Sequence, residues 1–285
     1  MQLWLVLLAM LMPVATSLPP TGAASQPAQV YELVRPVPAP PALKARAALL
    51  IDVDSNQPIY QLSPHARLAE ASLTKVVTAL VALDLMKQDQ LVTVPASIDQ
   101  LPWDSTRMGL KVGERLIVRE LLYGLFLNSG NDAAITLSDA VTSRPVFIDR
   151  MNAKAAALGM TDTHFVNPIG LDDPAHYTSA ADLARAATEL LTRYPDVAAI
   201  ASVPRITLPA TADHHAYPLY NLNDLIRTYP GATGLKTGWT GHAGGCLIAT
   251  ASRNGRHLMV VVLGSPSVFK EAASLLNYGF AEPAT

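Results

Sequence analysis

Three short motifs follow one another along the chain: Ser72-Leu73-Thr74-Lys75, Ser129-Gly130-Asn131 and Lys236-Thr237-Gly238. A serine hydroxyl becomes a useful nucleophile only when a base takes its proton, and acyl transfer through it also needs a place for the oxyanion. Ser72 and Lys75 have the i, i+3 spacing that puts two side chains on one face of a helix. Lys75 belongs to a run, Ser72 to Met86, in which Val76, Val77, Ala79, Leu80, Val81, Leu83 and Leu85 leave almost no polar face. Such a helix is buried all round. Desolvation then disfavours the ammonium of Lys75, lowers its pKa and leaves an amine able to accept the Ser72 proton. The helix N-terminus adds positive potential near the forming oxyanion.

The other two motifs supply the remaining parts. Ser129 offers a hydroxyl to relay a proton between Lys75 and a leaving amine. Asn131 offers an amide to hold a substrate carbonyl while touching Lys75, and Gly130 permits a tight turn. Lys236 and Thr237 present a cation and a hydroxyl, a pair suited to a carboxylate, and Gly238 leaves room for a substrate lying along the strand. The backbone N–H of Trp239 is expected to pair with that of Ser72 as the oxyanion hole. Each motif is weak alone: Ser267-Val268-Phe269-Lys270 repeats the first pattern and Ser252-Arg253-Asn254 the second. The information lies in their order and in the elements that carry them. Asp213-His214-His215 has metal-like spacing but no partner cluster and reads as a surface loop, so no metal and no cofactor is expected. Cys246, the single cysteine, reads as a packed core thiol.

Those elements follow from periodicity and turn chemistry. Ala47–Val53 and Ile59–Leu62 flank Asp54-Ser55-Asn56-Gln57 and read as a hairpin. Helices are expected at Ser72–Met86, Val118–Leu127, Ala133–Val141 and Phe147–Leu158, with Ser129-Gly130-Asn131 in the turn between the second and third. Ser179 with Asp182 three residues later caps another helix running to Tyr194. Gly245–Ala251 and His257–Leu263, joined through Asn254-Gly255, read as a second hairpin, preceded by a strand Leu235–Trp239. Ala272–Tyr278 closes the chain as a helix. Helices in the middle, with strands at both ends, make an α/β unit with a helical insertion.

Half of the 285 residues are hydrophobic and 15% are charged, which supports a large core. The net charge of -2 gives no reason to expect nucleic acid. Leu3–Leu11 is an apolar run too short for a comfortable membrane span. Residues 1–24 therefore read as a signal peptide or N-terminal anchor, although no basic residue precedes the run. Residues 25–45 read as a Pro/Ala-rich linker and 46–280 as the catalytic domain, with a helical subdomain at about 72–190. The expectation is an exported protein, periplasmic or extracellular, with membrane contact only through the N-terminal segment.

With these motifs go further blocks: Met108-Gly109-Leu110, Val112-Gly113-Glu114, Glu120–Leu125, Met151-Asn152-Ala153-Lys154, Phe165-Val166-Asn167-Pro168 with Gly170-Leu171, His176–Ala180 and Tyr229-Pro230-Gly231. Over roughly Ala47–Phe280 the chain resembles the D-alanyl-D-alanine carboxypeptidases among the low-molecular-mass penicillin-binding proteins. The resemblance implies an antiparallel sheet flanked by helices with an inserted helical subdomain, of the β-lactamase and penicillin-binding-protein transpeptidase type. It implies an acyl-enzyme on Ser72 with Lys75 as base, and Ser129 assisting proton transfer. Asn131, Lys236, Thr237, Gly238 and Trp239 would bind substrate. The implied partners are peptidoglycan stem peptides, whose terminal D-alanine is removed, and β-lactams as covalent inhibitors. The alternatives are a DD-endopeptidase cutting cross-links, a β-lactamase and an inactive cell-wall-binding protein. One departure stands out: where relatives carry an arginine before the last helix, this chain has Ser265-Pro266-Ser267-Val268-Phe269-Lys270, and Lys270 is the candidate replacement.

Overall fold

The computed structural model describes residues 39–282. The segment 1–24, and the linker up to residue 38, lie outside the described residues. The chain opens with strands β1 (Ala47–Asp52) and β2 (Gln57–Leu62), then a 3-10 turn (Ala71–Thr74) leading into helix α1 (Lys75–Leu85). Short strands β3 (Leu91–Thr93) and β4 (Arg115–Ile117) form a two-stranded arm ahead of helices α2 (Val118–Leu127), α3 (Asn131–Asp139), α4 (Arg144–Ala157) and α5 (Ala180–Arg193). After a one-turn helix α6 (Pro195–Ala198) come the hairpin β5 (Arg205–Leu208) and β6 (Tyr217–Tyr220) and another single turn, α7 (Leu225–Thr228). Strands β7 (Ala232–Thr240), β8 (Gly244–Arg253) and β9 (Arg256–Ser265) and helix α8 (Val268–Ala281) complete the chain.

The main sheet is antiparallel with order β2-β1-β9-β8-β7, so the first hairpin joins the last strands and β7 forms an edge. Alternation along the strands sends successive residues to opposite faces. Ala47, Leu49 and Ile51, with Ile248, Met259 and Val261, pack toward the helices of the middle region. Ala48 and Leu50, with Leu247, Val260 and Val262, pack toward Leu275 and Leu276 of α8. Both faces are therefore covered, and this is why β8 and β9 read as unbroken apolar runs rather than alternating ones. Each such buried aliphatic side chain contributes about 1.5–3 kcal/mol. The Asn254-Gly255 tip turns with φ of 51° and 78°, as a two-residue hairpin requires.

Several boundaries differ from the sequence expectation: α3 runs Asn131–Asp139 rather than Ala133–Val141, so Asn131 opens the helix instead of sitting in the turn before it. Ser72 lies not in α1 but in the 3-10 turn before it, because Ala71 takes φ 51° and the chain must tighten to enter the helix. The fourth helix begins at Arg144 rather than Phe147, with Pro145 in its first turn, where a missing N–H costs nothing. The last helix begins at Val268 rather than Ala272. Glu271 in its first turn accepts from Lys44 N (2.6 Å) and Ser265 Oγ (2.7 Å), which ties the helix start to the strand before it.

Asp213-His214-His215 is less a surface loop than expected. His214 is buried, and His215 Nδ1 lies 2.5 Å from Glu114 Oε1. Tyr217 donates its hydroxyl to the other oxygen of Glu114. The loop thus clasps the start of β4 onto the β5–β6 hairpin. Burial pushes the Glu114 carboxyl up, but the bonds from Tyr217, His215 and the backbone N–H groups of Lys111 and His215 outweigh it and hold it at about 2. A carboxyl held down in the folded state stabilises the fold above its ordinary pKa, and that contribution is lost as pH falls toward 2. Glu114→Gln is expected to cost roughly 1–3 kcal/mol at pH 7, a Tm drop of several degrees. The gap from the parent protein should close between pH 4.5 and 2, measured by thermal melts across that range.

Candidate active site

The Ser72 segment is gripped from two sides by glycines. Gly170, at φ +85°, lies so close that a Cβ there would come 1.9 Å from the carbonyl oxygen of Ala71. Gly238 on β7 lies where a Cβ would meet Glu70 O at 2.9 Å and Ser72 N at 3.0 Å. The reason for glycine at 238 is thus close backbone approach to the segment carrying Ser72. Beneath that segment Thr74 donates to Glu70 Oε1 (2.8 Å). Val166 N–H donates to His176 Nδ1 (3.0 Å), so Nε2 carries the proton and points at Glu70 Oε1, 2.9 Å away. Glu70, Thr74 and His176 are all buried.

Lys75 is fully buried at the start of α1, its Nζ 2.7 Å from Ser72 Oγ and 2.7 Å from the carbonyl oxygen of Ile169. Burial lowers its pKa well below the ordinary lysine value; the neighbouring Lys236 lowers it further and Asp132 works the other way. A neutral amine has N–H groups to donate and one lone pair to accept. Donating to Ile169 O leaves the lone pair for the Ser72 proton. Ile169 O is presented by Asn167, whose Oδ1 accepts from the backbone N–H groups of Ile169, Gly170 and Leu171 (3.2, 2.7 and 3.1 Å).

Ser129 sits at φ 55° between α2 and α3, and its Oγ accepts from Lys236 Nζ at 2.8 Å. Lys236 stands on the edge strand as expected, but its ammonium is not at the surface. It is buried, donates also to Thr237 O (2.8 Å), and is brought by burial to about 7. The hydrogen bond that ties Ser129 into the site is therefore to Lys236, and the second partner of Lys75 is Ile169 rather than Asn131. Asn131 is buried in the cleft wall with its Oδ1 unpartnered among the described residues. Asp132, next to it, accepts from the backbone N–H groups of Met108, Gly109 and Leu110 (2.9, 2.9 and 3.0 Å). It anchors the strand-like loop that brings Ser105 and Thr106 to the cleft.

Ser72, Ser129, Asn131, Thr237, Gly238 and Trp239 line one cleft of about 560 Å³, with Lys75 and Lys236 buried behind it. Trp239, 73% exposed, stands at its rim. Val268 and Phe269 line it too, whereas Lys270 lies in the groove next to it. Cys246 is fully buried at the cleft floor, its thiol pushed up to about 12 by burial. Among the described residues no group of three or more His, Cys, Asp or Glu is placed to hold a metal ion. Sequence reasoning missed Glu70, Asp132, Asn167 and Ile169. The last acts through its backbone, which no residue type announces, while Asp132 and Asn167 do show the signal of a buried-turn acid or amide beside a motif.

A family model described as D-alanyl-D-alanine carboxypeptidase matches residues 35–267. The D-alanyl-D-alanine carboxypeptidase DacF of Bacillus subtilis is 35% identical over 85% of this chain, which spans 63% of that relative's length. The D-alanyl-D-alanine carboxypeptidase DacB2 of Mycobacterium tuberculosis is 35% identical over 86% of this chain and 84% of its own. Among solved structures, a DD-transpeptidase of Streptomyces superposes with TM-score 0.78 at 29% identity, covering 85% of this chain and 99% of that one.

The two lysines set a pH expectation. Lys75 must be neutral to take the Ser72 proton, so acylation of Ser72 by a fluorescent penicillin should fall as pH drops through its lowered pKa. Lys236 loses its charge near 7, so a second inflection should appear there and vanish in Lys236→Met. Stopped-flow labelling between pH 4 and 10 measures both.

Proposed function

The chain belongs to the D-alanyl-D-alanine carboxypeptidase family, and on that premise we propose that it releases the terminal D-alanine of peptidoglycan stem pentapeptides through an acyl-enzyme on Ser72. The observation that carries this reading is the 2.7 Å approach of a buried Lys75, its pKa lowered by that burial, to Ser72 Oγ at the floor of an open cleft. Lys75 takes the Ser72 proton as Oγ attacks the carbonyl carbon of the penultimate D-alanine. The oxyanion forms between the backbone N–H groups of Ser72 and Trp239, in a site where fixed dipoles act at low dielectric. Ser129 gives its proton to the leaving nitrogen as the C–N bond breaks, and the Lys236 ammonium restores it. In deacylation water loses a proton through Ser129 to the now neutral Lys236 as it attacks the ester. Protonated Lys75 returns its proton to Ser72 as the C–O bond breaks, and both lysines regain their starting charge.

Asn131 holds the amide of the bound peptide with its unpartnered oxygen, which suits a substrate N–H. Thr237 and the potential of Lys236 receive the terminal carboxylate. β-Lactams enter the same scheme as acylating inhibitors, their ring nitrogen in the place of the leaving amine. No glutamate lines the cleft among the described residues, where the acids are Asp104 and Asp172, and Glu70 is turned away toward Thr74 and His176, which supports the peptidase reading over a glutamate-dependent β-lactamase. Residues 46–280 form the peptidase domain in this reading, and residues 1–24 export or anchor it outside the cytoplasm.

Ser72→Ala is expected to abolish covalent penicillin labelling while circular dichroism and Tm stay close to those of the parent. Mass spectrometry of the labelled parent should place the adduct on Ser72. An adduct on Ser267 instead would overturn the assignment. Because Lys236 acts through Ser129, Lys236→Ala should lower kcat/KM on the order of ten- to a hundredfold. That loss should appear for both free and amidated C-termini, and be the larger for the free carboxylate that Lys236 also attracts, in matched peptide assays of released D-alanine and D-alaninamide.

A further inference from the structure

Glu70, Thr74 and His176 form a buried polar cluster that takes no part in the acyl-transfer steps above. Glu70 stands two residues before Ser72, and its side chain has no contact with solvent. One carboxyl oxygen, Oε1, takes both of its side-chain bonds, from Thr74 Oγ (2.8 Å) and from His176 Nε2 (2.9 Å). The other, Oε2, is buried without a partner among the described residues. A buried carboxyl oxygen without a donor costs free energy, and an apolar side chain of similar volume would fill the space at least as stably. Stability alone is a poor reason for this cluster.

Its connections to the nucleophile and the base are a better one. Ala71 sits at φ 51°, a conformation that a residue with a Cβ holds only when its surroundings impose it. The carbonyl of Ala71 belongs to the same peptide as the Ser72 N–H, which is expected to face the oxyanion. Thr74 Oγ lies 2.9 Å from that carbonyl oxygen and 2.8 Å from Glu70 Oε1, so its single proton has two acceptors in reach. Glu70 holds the proton off the Ala71–Ser72 peptide. On the other side, His176 Nδ1 accepts from Val166 N–H (3.0 Å) and lies 3.5 Å from Asn167 Nδ2. Asn167 presents Ile169 O, the second partner of Lys75. The contact between Glu70 and His176 therefore joins the Ser72 bend to the Ile169 loop, the two segments whose oxygens flank Lys75 Nζ.

We propose that Glu70 and His176 are positioning residues for the acylation step. Through Thr74 they set the tilt of the peptide that carries the Ser72 N–H, and through Asn167 the place of Ile169 O beside Lys75. The inference rests on the acyl-transfer reading above and adds to it two residues that touch neither substrate nor the reacting atoms. Neither lines the cleft, so they act on the rate of the chemical step and leave binding alone. Small displacements matter there, because attack and oxyanion stabilisation both depend on fixed geometry.

The test is stopped-flow acylation by a fluorescent penicillin, which separates the dissociation constant of the first complex from the rate constant of acylation. In Glu70→Met the Thr74 proton turns to Ala71 O, and His176 Nε2, 2.9 Å from Thr74 Oγ, finds its acceptor there. No donor is stranded, so Tm should equal or exceed that of the parent. The redirected proton pulls on the Ser72 peptide, so acylation should slow on the order of ten- to a hundredfold, with the dissociation constant unchanged. Glu70→Gln keeps the acceptor oxygen and should acylate close to the parent rate. His176→Gln keeps one donor and one acceptor and should do the same, whereas His176→Leu should be slow. The double variant Glu70→Met with His176→Leu should be no slower than the slower single one, because the two act as a unit. Should His176→Leu fail to fold, the two Glu70 variants carry the comparison. An unlabelled parent protein would sink the acyl-transfer reading and this inference with it. A parent labelled at Ser72 beside a Glu70→Met protein that acylates equally fast would overturn the inference alone. So would rate losses that only follow losses of Tm, or a weaker first complex with an unchanged rate.

Discussion

The burial of Lys75 is the constraint on which the rest of the site depends. An ammonium at the base of α1 with no solvent contact is costly, and burial lowers the pKa of Lys75 well below the ordinary lysine value. Its Nζ has two oxygens within hydrogen-bond distance, Ser72 Oγ and Ile169 O, each at 2.7 Å. The apolar enclosure that supplies the desolvation is the helix core itself: Val76, Val77, Leu80 and Val81 around the lysine are all buried. Packing energy and basicity therefore have one source. A more open α1 would be both less stable and a poorer base.

Around this point the backbone is irregular, and three polar side chains hold it in place. Asn167 gathers three N–H groups to present Ile169 O, and Asp132 gathers three more to seat the 108–110 loop. Glu70 lies under Ser72, held by Thr74 and His176. A buried carboxylate or amide that satisfies several backbone donors does for a loop what a ladder does for a strand. The sheet contributes one edge, β7, and the rigidity of a layer packed on both faces. Gly238 then lets that edge touch the Ser72 segment directly, which sets the spacing of the two backbone N–H groups expected to face the oxyanion.

The second lysine shows how like charges divide work. Lys236 and Lys75 lie close enough for one to depress the other, and both are buried. Two ammonium groups in such a volume repel, so the pair favours a state in which one carries the proton. Lys236, at about 7 and bonded to Ser129, is the one that the proposed mechanism uses to give and take it. Its distance from the surface suits it, on the proposed reading, to an electrostatic and proton-handling role more than to direct carboxylate binding.

Much of this was legible in the residues. The apolar run from Val76 to Leu85 demanded a buried helix, and the i, i+3 spacing put Lys75 on the Ser72 face. Asn254-Gly255 demanded a hairpin, and Ser179 with Asp182 a helix start, because periodicity, turn chemistry and capping are local and act over a few residues. Which groups meet across 50 or 100 positions is a different matter. That Lys75 bonds Ile169, that Ser129 bonds Lys236, that Glu114 takes His215 and Tyr217, and that Glu70 meets His176 are outcomes of packing two layers onto one sheet. Sequence alone determined the reagents and the elements that bear them. Tertiary structure decided their partners, because burial and long-range contact exist only once the chain has closed on itself, and these set each proton's affinity.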